Sequence, residues 1–410
     1  MKYNVGIIGA GASGLTAAIF AARQGARVLL IEHMDRVGKK ILSTGNGRCN
    51  LTNLKMEAEC YRSNEPGFPM KVIDGFPVEE TLSFFEGLGI VFKDRNGYIY
   101  PNSDQAASVL DVLREETERL SIDIRLSCSV EELSLKKGSF CIRTNQGEFQ
   151  TERLILSAGS KAAPSTGSDG SGYELAKKLG HHVIKPLPAL VQLRCQGNFY
   201  KQLAGIRTEA RVELRANGRV LASDKGELQL TDYGLSGIPV FQISRYGARA
   251  LDEGKRVTVL IDFMPSWPQE ECFGLLRRRA RFLKEKQAGE FFTGMLNRKL
   301  GQVLLKRAGI PAEMKAAELT GKQLERLMIQ LKQYEALVMS VNPFANAQVC
   351  CGGVDTREID SATMESRLRK GLYFTGEILD VDGICGGYNL QFAWSSGAIA
   401  GRAAAGRRKI

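Results

Sequence analysis

The chain has 410 residues, 43% hydrophobic and 25% charged, enough apolar material for two or three globular domains. That composition excludes disordered, collagen-like and disulfide-stapled miniature proteins. Fifty-six Lys and Arg against 45 Asp and Glu leave a formal charge of +11, which fits a soluble basic protein or one with an anionic partner: a phosphate-bearing cofactor, an acidic substrate or RNA. No RNA-binding motif accompanies the charge, whose densest patch, Arg277 to Lys286, reads as one solvated helix face. Nine cysteines without a C-x-x-C pair argue against zinc and against disulfide exchange, and fit a reduced cytoplasm. Three histidines argue against a histidine-rich metal site or a Ser/His/Asp triad.

In chain order, Tyr3 to Ala22 is uncharged and has the length of a leader or a membrane span. Its glycines at 6, 9, 11 and 14 are poor filler for such a segment, so neither export nor membrane insertion is expected. Val5 to Ile8 reads as a buried strand, followed by a glycine-rich turn, a helix to about Gln24, and a second strand from Arg27 to Ile31. A helix is expected over Ser103 to Leu120. Short strands follow around 122–128, 130–135, 139–144 and 147–150, and a separate buried strand at Leu154 to Leu156.

After about Leu187 the texture changes. Arg207 to Thr231 reads as a hairpin turning at Asn217-Gly218, and Arg256 to Ile261 as a further strand. Pro265 to Ser340 reads as mostly helical. Thr320 and Gln323 make a capping-box pattern before a stripe running from Leu324 to Tyr334. Leu372 to Thr375 reads as a strand and Asn389 to about Ala405 as a helix of small residues. The expected organisation is an α/β domain over 1–187 and 342–410, interrupted by an insert over 188–341. That insert is β-rich to 264 and helical from 265.

The first turn reads Gly9-Ala10-Gly11-Ala12-Ser13-Gly14, a G-x-G-x-x-G pattern between a strand and a helix, with Glu32 18 positions beyond Gly14. Gly9 permits the tight turn, Gly11 lets a pyrophosphate approach the backbone, and Gly14 lets the helix pack closely. The helix N-terminus offers free N–H groups and partial positive charge. Glu32 suits a ribose 2′-hydroxyl and repels a 2′-phosphate; a solvated carboxylate is the alternative. His33 stands beside it. This fingerprint does not separate FAD from NAD.

Two further segments decide between them. One runs from Lys39 to Asn53 and includes Lys40, Thr44, Gly45, Gly47, Arg48, Cys49 and Asn50. The other runs from Gly376-Glu377 through Asp380 and Gly386-Gly387-Tyr388-Asn389 to Gly397. With the first fingerprint they closely resemble the BaiN-like family of NAD(P)/FAD-dependent oxidoreductases, which includes aminoacetone-oxidase-type flavoproteins. Gly226-Glu227-Leu228, Thr231 and Gly234-Leu235-Ser236-Gly237 look like that family's insert. The resemblance covers essentially the whole chain. It implies a Rossmann-like FAD-binding domain of the glutathione-reductase type in two segments, a β-barrel-like plus helical insert, and non-covalent FAD. It also implies backbone contacts to FAD from Val130, Ala158 and Gly159.

Residue chemistry refines that expectation. Arg48 is a fixed cation for a phosphate or the flavin edge, or is tied to a loop carbonyl. Cys49 is a reactive thiol or a packing residue. Gly386, Gly387 and the following helix can face the flavin pyrimidine. Glu377 and Asp380 can hold ribityl hydroxyls or serve as caps. Tyr388 is a proton donor, a stacking ring or a packing residue. Cys350, Cys351 and Cys385 read as reduced packing thiols.

The function this implies is hydride transfer between flavin N5 and an organic substrate held between the insert and the flavin, with Tyr388 and Arg48 as catalytic candidates. No second dinucleotide fingerprint follows a strand, so NAD(P)H enters as a transient co-substrate or oxygen is the acceptor. An NAD(P)H-linked reductase of conjugated enones, of the kind found in bile-acid intermediates, leads. The alternatives are an oxidase of small amines such as aminoacetone, a flavoprotein acting on RNA, or a flavin redox sensor. The expected partner is a small molecule, with no nucleic acid, membrane or metal.

Overall fold

The computed structural model describes residues 2–136 and 138–406. They form two compact units: one from the residues up to Leu187 together with those from Gln348 onward, the other from Pro188 to Ala347.

The first unit is built on a seven-stranded mixed sheet. Lys2–Ile8 lies at its centre, parallel to Val28–Ile31 on one side and to Gly147–Leu156 on the other. Asp123–Arg125 extends the parallel edge, and Leu372–Phe374 pairs in parallel with Leu154 to Leu156. Ser139–Thr144 and Val130–Lys136 add an antiparallel flap. All four residues of Val28–Ile31 are buried, as a strand covered on both faces requires.

Two helices cover one region of this core. Ala12–Arg23 is buried from Ser13 to Ala21, and Tyr388–Ala405 from Gln391 to Gly401. Their approach depends on missing side chains. A Cβ on Gly397 would lie 2.5 Å from Ser13 O, and one on Gly401 2.4 Å from Ala17 O. Residues nearly four hundred positions apart thereby join the first fingerprint to the last helix.

The second unit contains a closed six-stranded barrel and a helical extension. The strand order is Leu193–Cys195, Gly234–Ser236, Arg219–Leu230, Arg207–Ala216, Val257–Asp262 and Tyr334–Val341, which returns to the first. Its core includes Val212, Leu214, Leu228, Val257, Val259 and Ile261, all fully buried. The expected capping box is present: Gln323 N–H donates to Thr320 Oγ1 at 3.3 Å, and Thr320 N–H to Gln323 Oε1 at 2.9 Å.

The structure departs from the sequence reading at several places, among them the helices Phe68–Gly75 and Val78–Gly87, in a stretch where no element is expected. Gly147–Leu156 is one strand, not a short strand and a separate one. Its first half is exposed where it pairs with the flap and its second half is buried, so no single periodicity marks it. Tyr334–Val341 is a strand, although the stripe from Leu324 is continuous with Tyr334 by spacing alone; the helix stops at Lys332 and Gln333 leaves helical geometry (φ −141°, ψ 40°). Ile238–Asp252 is a helix packed on the barrel, in a stretch where no element is expected.

Candidate cofactor site

The fingerprint loop is fixed by contacts that exclude side chains. Gly9 has φ +100°, and a Cβ there would lie 2.4 Å from Ser157 O and 2.9 Å from Ala158 Cα. A Cβ on Gly14 would lie 1.9 Å from Gly9 O. Gly11 differs: nothing lies within 4 Å of its Cβ position, so the space before it is open. The helix from Ala12 has no side-chain cap and no acidic residue in its first turn, leaving the amide end of the helix available to an anion. The structure thus combines an open approach with a preorganised donor end.

Glu32 is buried, and it is not a solvated carboxylate. Its Oε2 accepts from Ala10 N–H at 2.8 Å and its Oε1 from Met34 N–H at 2.9 Å. His33 Nδ1 lies 3.6 Å from Oε1. The carboxylate therefore links the fingerprint loop to the end of the second strand, while two carboxylate oxygens retain acceptor capacity for a ribose. Cys128 N–H donates to Glu32 O at 2.9 Å, which brings Val130, at the start of its strand, into this neighbourhood. Ala158 is against Gly9. Gly159, at φ +71°, would place a Cβ 2.6 Å from Ser168 Oγ.

The segment Ile41–Gly47 is a distorted turn. Thr44 is extended, and Gly45, Asn46, Gly47 and Cys49 have positive φ of 56°, 55°, 82° and 57°. Thr44 Oγ1 donates to Ile41 O at 2.6 Å, and Cys49 N–H returns to Thr44 O at 3.0 Å. Arg48 is exposed. Its Nε donates to Gly45 O at 3.4 Å, and its guanidinium carbon lies 6.0 Å from the Tyr100 ring centroid. Cys49 is buried, and burial pushes its thiol up to about 12, so at neutral pH it is a packing thiol without thiolate character. Asn50 Oδ1 is buried with no protein partner.

Lys40 and Glu377 join the first and last segments of the unit. Lys40 Nζ lies 2.6 Å from Glu377 Oε2 and donates to Ala162 O at 3.3 Å; Ser160 Oγ also donates to Glu377 Oε2, at 3.1 Å. Asp380 is fully buried, and its carboxylate accepts from Asn64 N–H at 2.9 Å and Gly352 N–H at 3.1 Å. It acts as a backbone clamp. Gly376, at φ +70°, sits where a Cβ would be 2.5 Å from Ser13 Oγ.

The helix Tyr388–Ala405 begins at Gly387 (φ +94°), whose Cβ position lies 2.7 Å from Thr52 O; Gly386 has φ +126°. This end also has no side-chain cap and no acidic first turn. Asn389 uses its side chain on Gly383, accepting from its N–H at 2.8 Å and donating to its O at 3.0 Å. Tyr388 is buried, and burial raises its phenol well above the ordinary tyrosine range, with Cys60 adding to the shift. It is a neutral acid across physiological pH.

Some residues of this region carry no role in the sequence reading. Gln391 is a fully buried hub: Thr52 Oγ1 donates to its Oε1 at 2.6 Å, and its Nε2 donates to Thr81 Oγ1 at 2.8 Å. Asn53 Nδ2 donates to Gly386 O at 3.1 Å. Tyr98 and Tyr100, on the strand Tyr98–Pro101, lie against Gly386 and Gly45. Their alternation with Ile99 is the only sequence signal that marks them. Tyr173 Oη is buried without a partner.

These features fit FAD. The open approach at Gly11, two uncapped helix ends, the glycine turns at 45–47 and 386–387, and the unpartnered Asn50 Oδ1 are what an extended dinucleotide with an amide-bearing ring would use.

A family model described as the HI0933-like protein Rossmann domain matches residues 3–403. The chain belongs to the HI0933-like family. It is 48% identical over 406 residues to a Clostridium scindens protein named 3-dehydro-bile acid delta(4,6)-reductase, covering 98% of this chain and 99% of that one. It is 30% identical over 399 residues to the ribosomal RNA dihydrouridine synthase of Escherichia coli, covering 96% of each. Among solved structures, a quinol-fumarate reductase with menaquinol aligns over 99% of this chain and 71% of its own, at 16% identity and a TM-score of 0.50; this likeness concerns the fold. This HI0933-like member is an oxidoreductase with a Rossmann-type FAD-binding fold and an inserted six-stranded barrel. Among the described residues, no helix is long and apolar enough to cross a membrane.

Proposed function

We propose that this oxidoreductase saturates a carbon–carbon double bond conjugated to a ketone in a steroid-like acid, with a nicotinamide nucleotide as the hydride source. The observation that carries this reading is the 48% identity, over nearly the full length of both chains, to the reductase of 3-dehydro bile acids. When bound, FAD supplies the hydride carrier between nucleotide and enone.

In this reading the chain's own groups divide the work. The amides following Gly11 and the open face of that glycine hold the pyrophosphate, and Glu32 takes the adenosine ribose. Val130, Ala158 and Gly159 supply backbone contacts at the adenosine end. Lys40, Thr44, Gly45, Gly47, Cys49, Asn50, Gly376, Glu377, Asp380, Gly386, Gly387 and Asn389 shape the remainder of the bed, several through the backbone alone. The uncapped amide end of the helix starting at Tyr388 would favour negative charge developing on the bound ring system. Tyr388 keeps its phenolic proton and can deliver it to the carbon next to the ketone, while Arg48 offers a cation at the loop edge. A cytoplasmic location accords with nine cysteines, none of them in a C-x-x-C pair.

An anaerobic titration with NADH and NADPH, following the visible flavin band, tests the reading. Bleaching by one nucleotide, and recovery of the band on adding a 3-oxo-4-ene or 3-oxo-4,6-diene steroid acid with loss of the enone ultraviolet absorption, is the expected result. No recovery with any enone overturns it. Peroxide production from small amines instead supports the oxidase reading. The 30% identity to the RNA enzyme motivates one further arm: ribosomal RNA lacking dihydrouridine, whose uracil also presents a double bond conjugated to a carbonyl.

A further inference from the structure

A three-stranded sheet of the Rossmann-type unit lies against both glycine turns of the candidate cofactor bed. Its middle strand, Tyr98–Pro101, pairs with Thr52–Asn53 on one side and with Phe92–Arg95 on the other. Ile99 turns inward and is buried, so Tyr98 and Tyr100 point to the opposite face. The register sets Arg95 opposite Tyr98 and Lys93 opposite Tyr100, which brings both cations onto that face. The two rings mark the two turns. A Cβ on Gly386 would lie 2.7 Å from Tyr98 Cε1, and one on Gly45 3.6 Å from Tyr100 Cε1.

The charge on this face is unbalanced. Lys93 Nζ and Arg95 Nη2 both meet Asp104 Oδ2, at 2.8 and 2.7 Å. Arg48 adds a third cation. Its guanidinium carbon lies 6.0 Å from the Tyr100 ring centroid, and that of Arg95 lies 5.4 Å from it. Among the described residues Arg48 pairs with no carboxylate, and its only hydrogen bond is the 3.4 Å contact to Gly45 O. Asp94, on the other face of its strand, is committed to Gly97 N–H at 2.6 Å. One carboxylate thus stands among three cations. Tyr98 is 42% exposed, so its ring is open to a ligand.

An accessible aromatic ring beside guanidinium groups that lack full neutralisation is the chemistry that holds a nucleotide, ring against ring and phosphate against arginine. In the proposed reading FAD occupies the fingerprint at Gly9 to Gly14, so a second nucleotide needs an anion site of its own. A steroid acid, with a single charge and an aliphatic skeleton, matches this face less well. We infer that Tyr98, Arg95 and Arg48 form the docking platform of the nicotinamide nucleotide, with one of its rings on Tyr98 and its phosphates on the two guanidinium groups. The inference rests on the proposal that such a nucleotide is the hydride source, and it names the residues that hold it.

The test uses the full-length, FAD-loaded protein. Calorimetry gives Kd for NAD+ and NADP+. Anaerobic bleaching of the visible flavin band gives the rate ratio of NADH and NADPH to 1-benzyl-1,4-dihydronicotinamide, a donor without phosphate. Arg95→Gln and Arg48→Gln are each expected to weaken nucleotide binding and lower that ratio by about tenfold, and the wild-type affinity should fall more steeply with salt than theirs. Tyr98→Leu should weaken binding about fivefold or more, and Tyr98→Phe should keep most of it. Arg114→Gln, an equal loss of charge on the helix Ala106–Arg119, should change neither reading. A Kd and a ratio that are the same in wild type, Arg95→Gln and Tyr98→Leu overturn the platform, as does a wild type that binds neither nucleotide. Binding of a uridine oligonucleotide that is lost in Arg95→Gln, with no dinucleotide bound, overturns it in favour of RNA. Arg95-dependent nucleotide binding without bleaching leaves the platform standing and overturns the nicotinamide-linked reading. Bleaching by NADH or NADPH at equal rates in wild type and Arg95→Gln does the reverse.

Discussion

Gly11 is the residue at which folding and cofactor binding separate most cleanly. It has φ −80° and ψ −166°, which any residue adopts, and its Cβ position meets nothing within 4 Å. Gly11→Ala is therefore expected to leave the urea midpoint of the FAD-free protein unchanged while weakening FAD affinity by about tenfold or more, since a methyl then occupies the pyrophosphate's approach. Gly14→Ala meets Gly9 O and should lose both. Fluorescence titration with FAD beside urea unfolding tells the two apart. Cys49 gives the opposite kind of prediction. With its thiol pushed up to about 12 by burial, native protein treated with iodoacetamide at pH 7.5 should leave Cys49 unmodified by mass spectrometry, and Cys49→Ala should retain turnover. Asp355 carries a pH dependence. Arg357 donates to its carboxylate from Nε at 2.9 Å and holds it down to about 2. A carboxylate lowered in the folded state contributes stability that is fully present above its unfolded pKa of about 4 and is lost as pH falls through the folded value. Stability should decline between about pH 4 and pH 2, and Asp355→Asn should flatten that part of the acid limb in equilibrium unfolding.

Among the elements, the pairing of Ala12–Arg23 with Tyr388–Ala405 carries the most consequence for the site, because each helix begins at a glycine turn of the candidate cofactor bed. Gly397 and Gly401 have no room for even a methyl group against the backbone of the partner helix. Gly397→Ala and Gly401→Ala should each cost at least about 2 kcal/mol in urea unfolding and lower the FAD content of purified protein, because spreading the helices displaces the turn at 386–387. This pairing also shows which elements are legible in sequence. The strand, turn and helix at the N-terminus are readable because local pattern and local structure coincide. The apolar helix after Asn389 is readable for the same reason, though the reason for its small residues lies in a partner far away in sequence. Gln391 illustrates what is not legible: its value comes from Thr52, Thr81 and Ser395 meeting around it, which no spacing announces. Asp380 is similar, since a turn carboxylate in the sequence becomes a clamp only when residues 64 and 352 arrive. Tyr334–Val341 was hidden because the helix before it and the strand itself both place an apolar face at Tyr334.

At the scale of the molecule, the 410 residues divide between a Rossmann-type unit made from two segments and a barrel unit made from one. The continuous unit has what independent folding requires. Its six strands close on themselves, so no unpaired edge is created by removing the rest of the chain. It has its own buried core, including Leu214, Leu228, Val257, Ile261, Leu304 and Leu327. Its ends are adjacent: Asn342 N–H donates to Gln192 O at 3.0 Å, and Leu193 pairs with Val341. Adjacent ends keep the loop-closure cost low when the unit is excised or reinserted. Pro188 to Ala347 expressed alone should therefore unfold in a single cooperative transition with coincident circular dichroism and fluorescence curves. Thr320→Ala should lower its stability by about 1 kcal/mol, the worth of a helix cap. The complementary piece, with its two segments joined by a short linker, should still take up FAD, since the glycine turns and both uncapped helix ends lie within it. A barrel unit that unfolds gradually, or a linked Rossmann unit that never shows the visible flavin band after reconstitution, would overturn independent folding of the two cores.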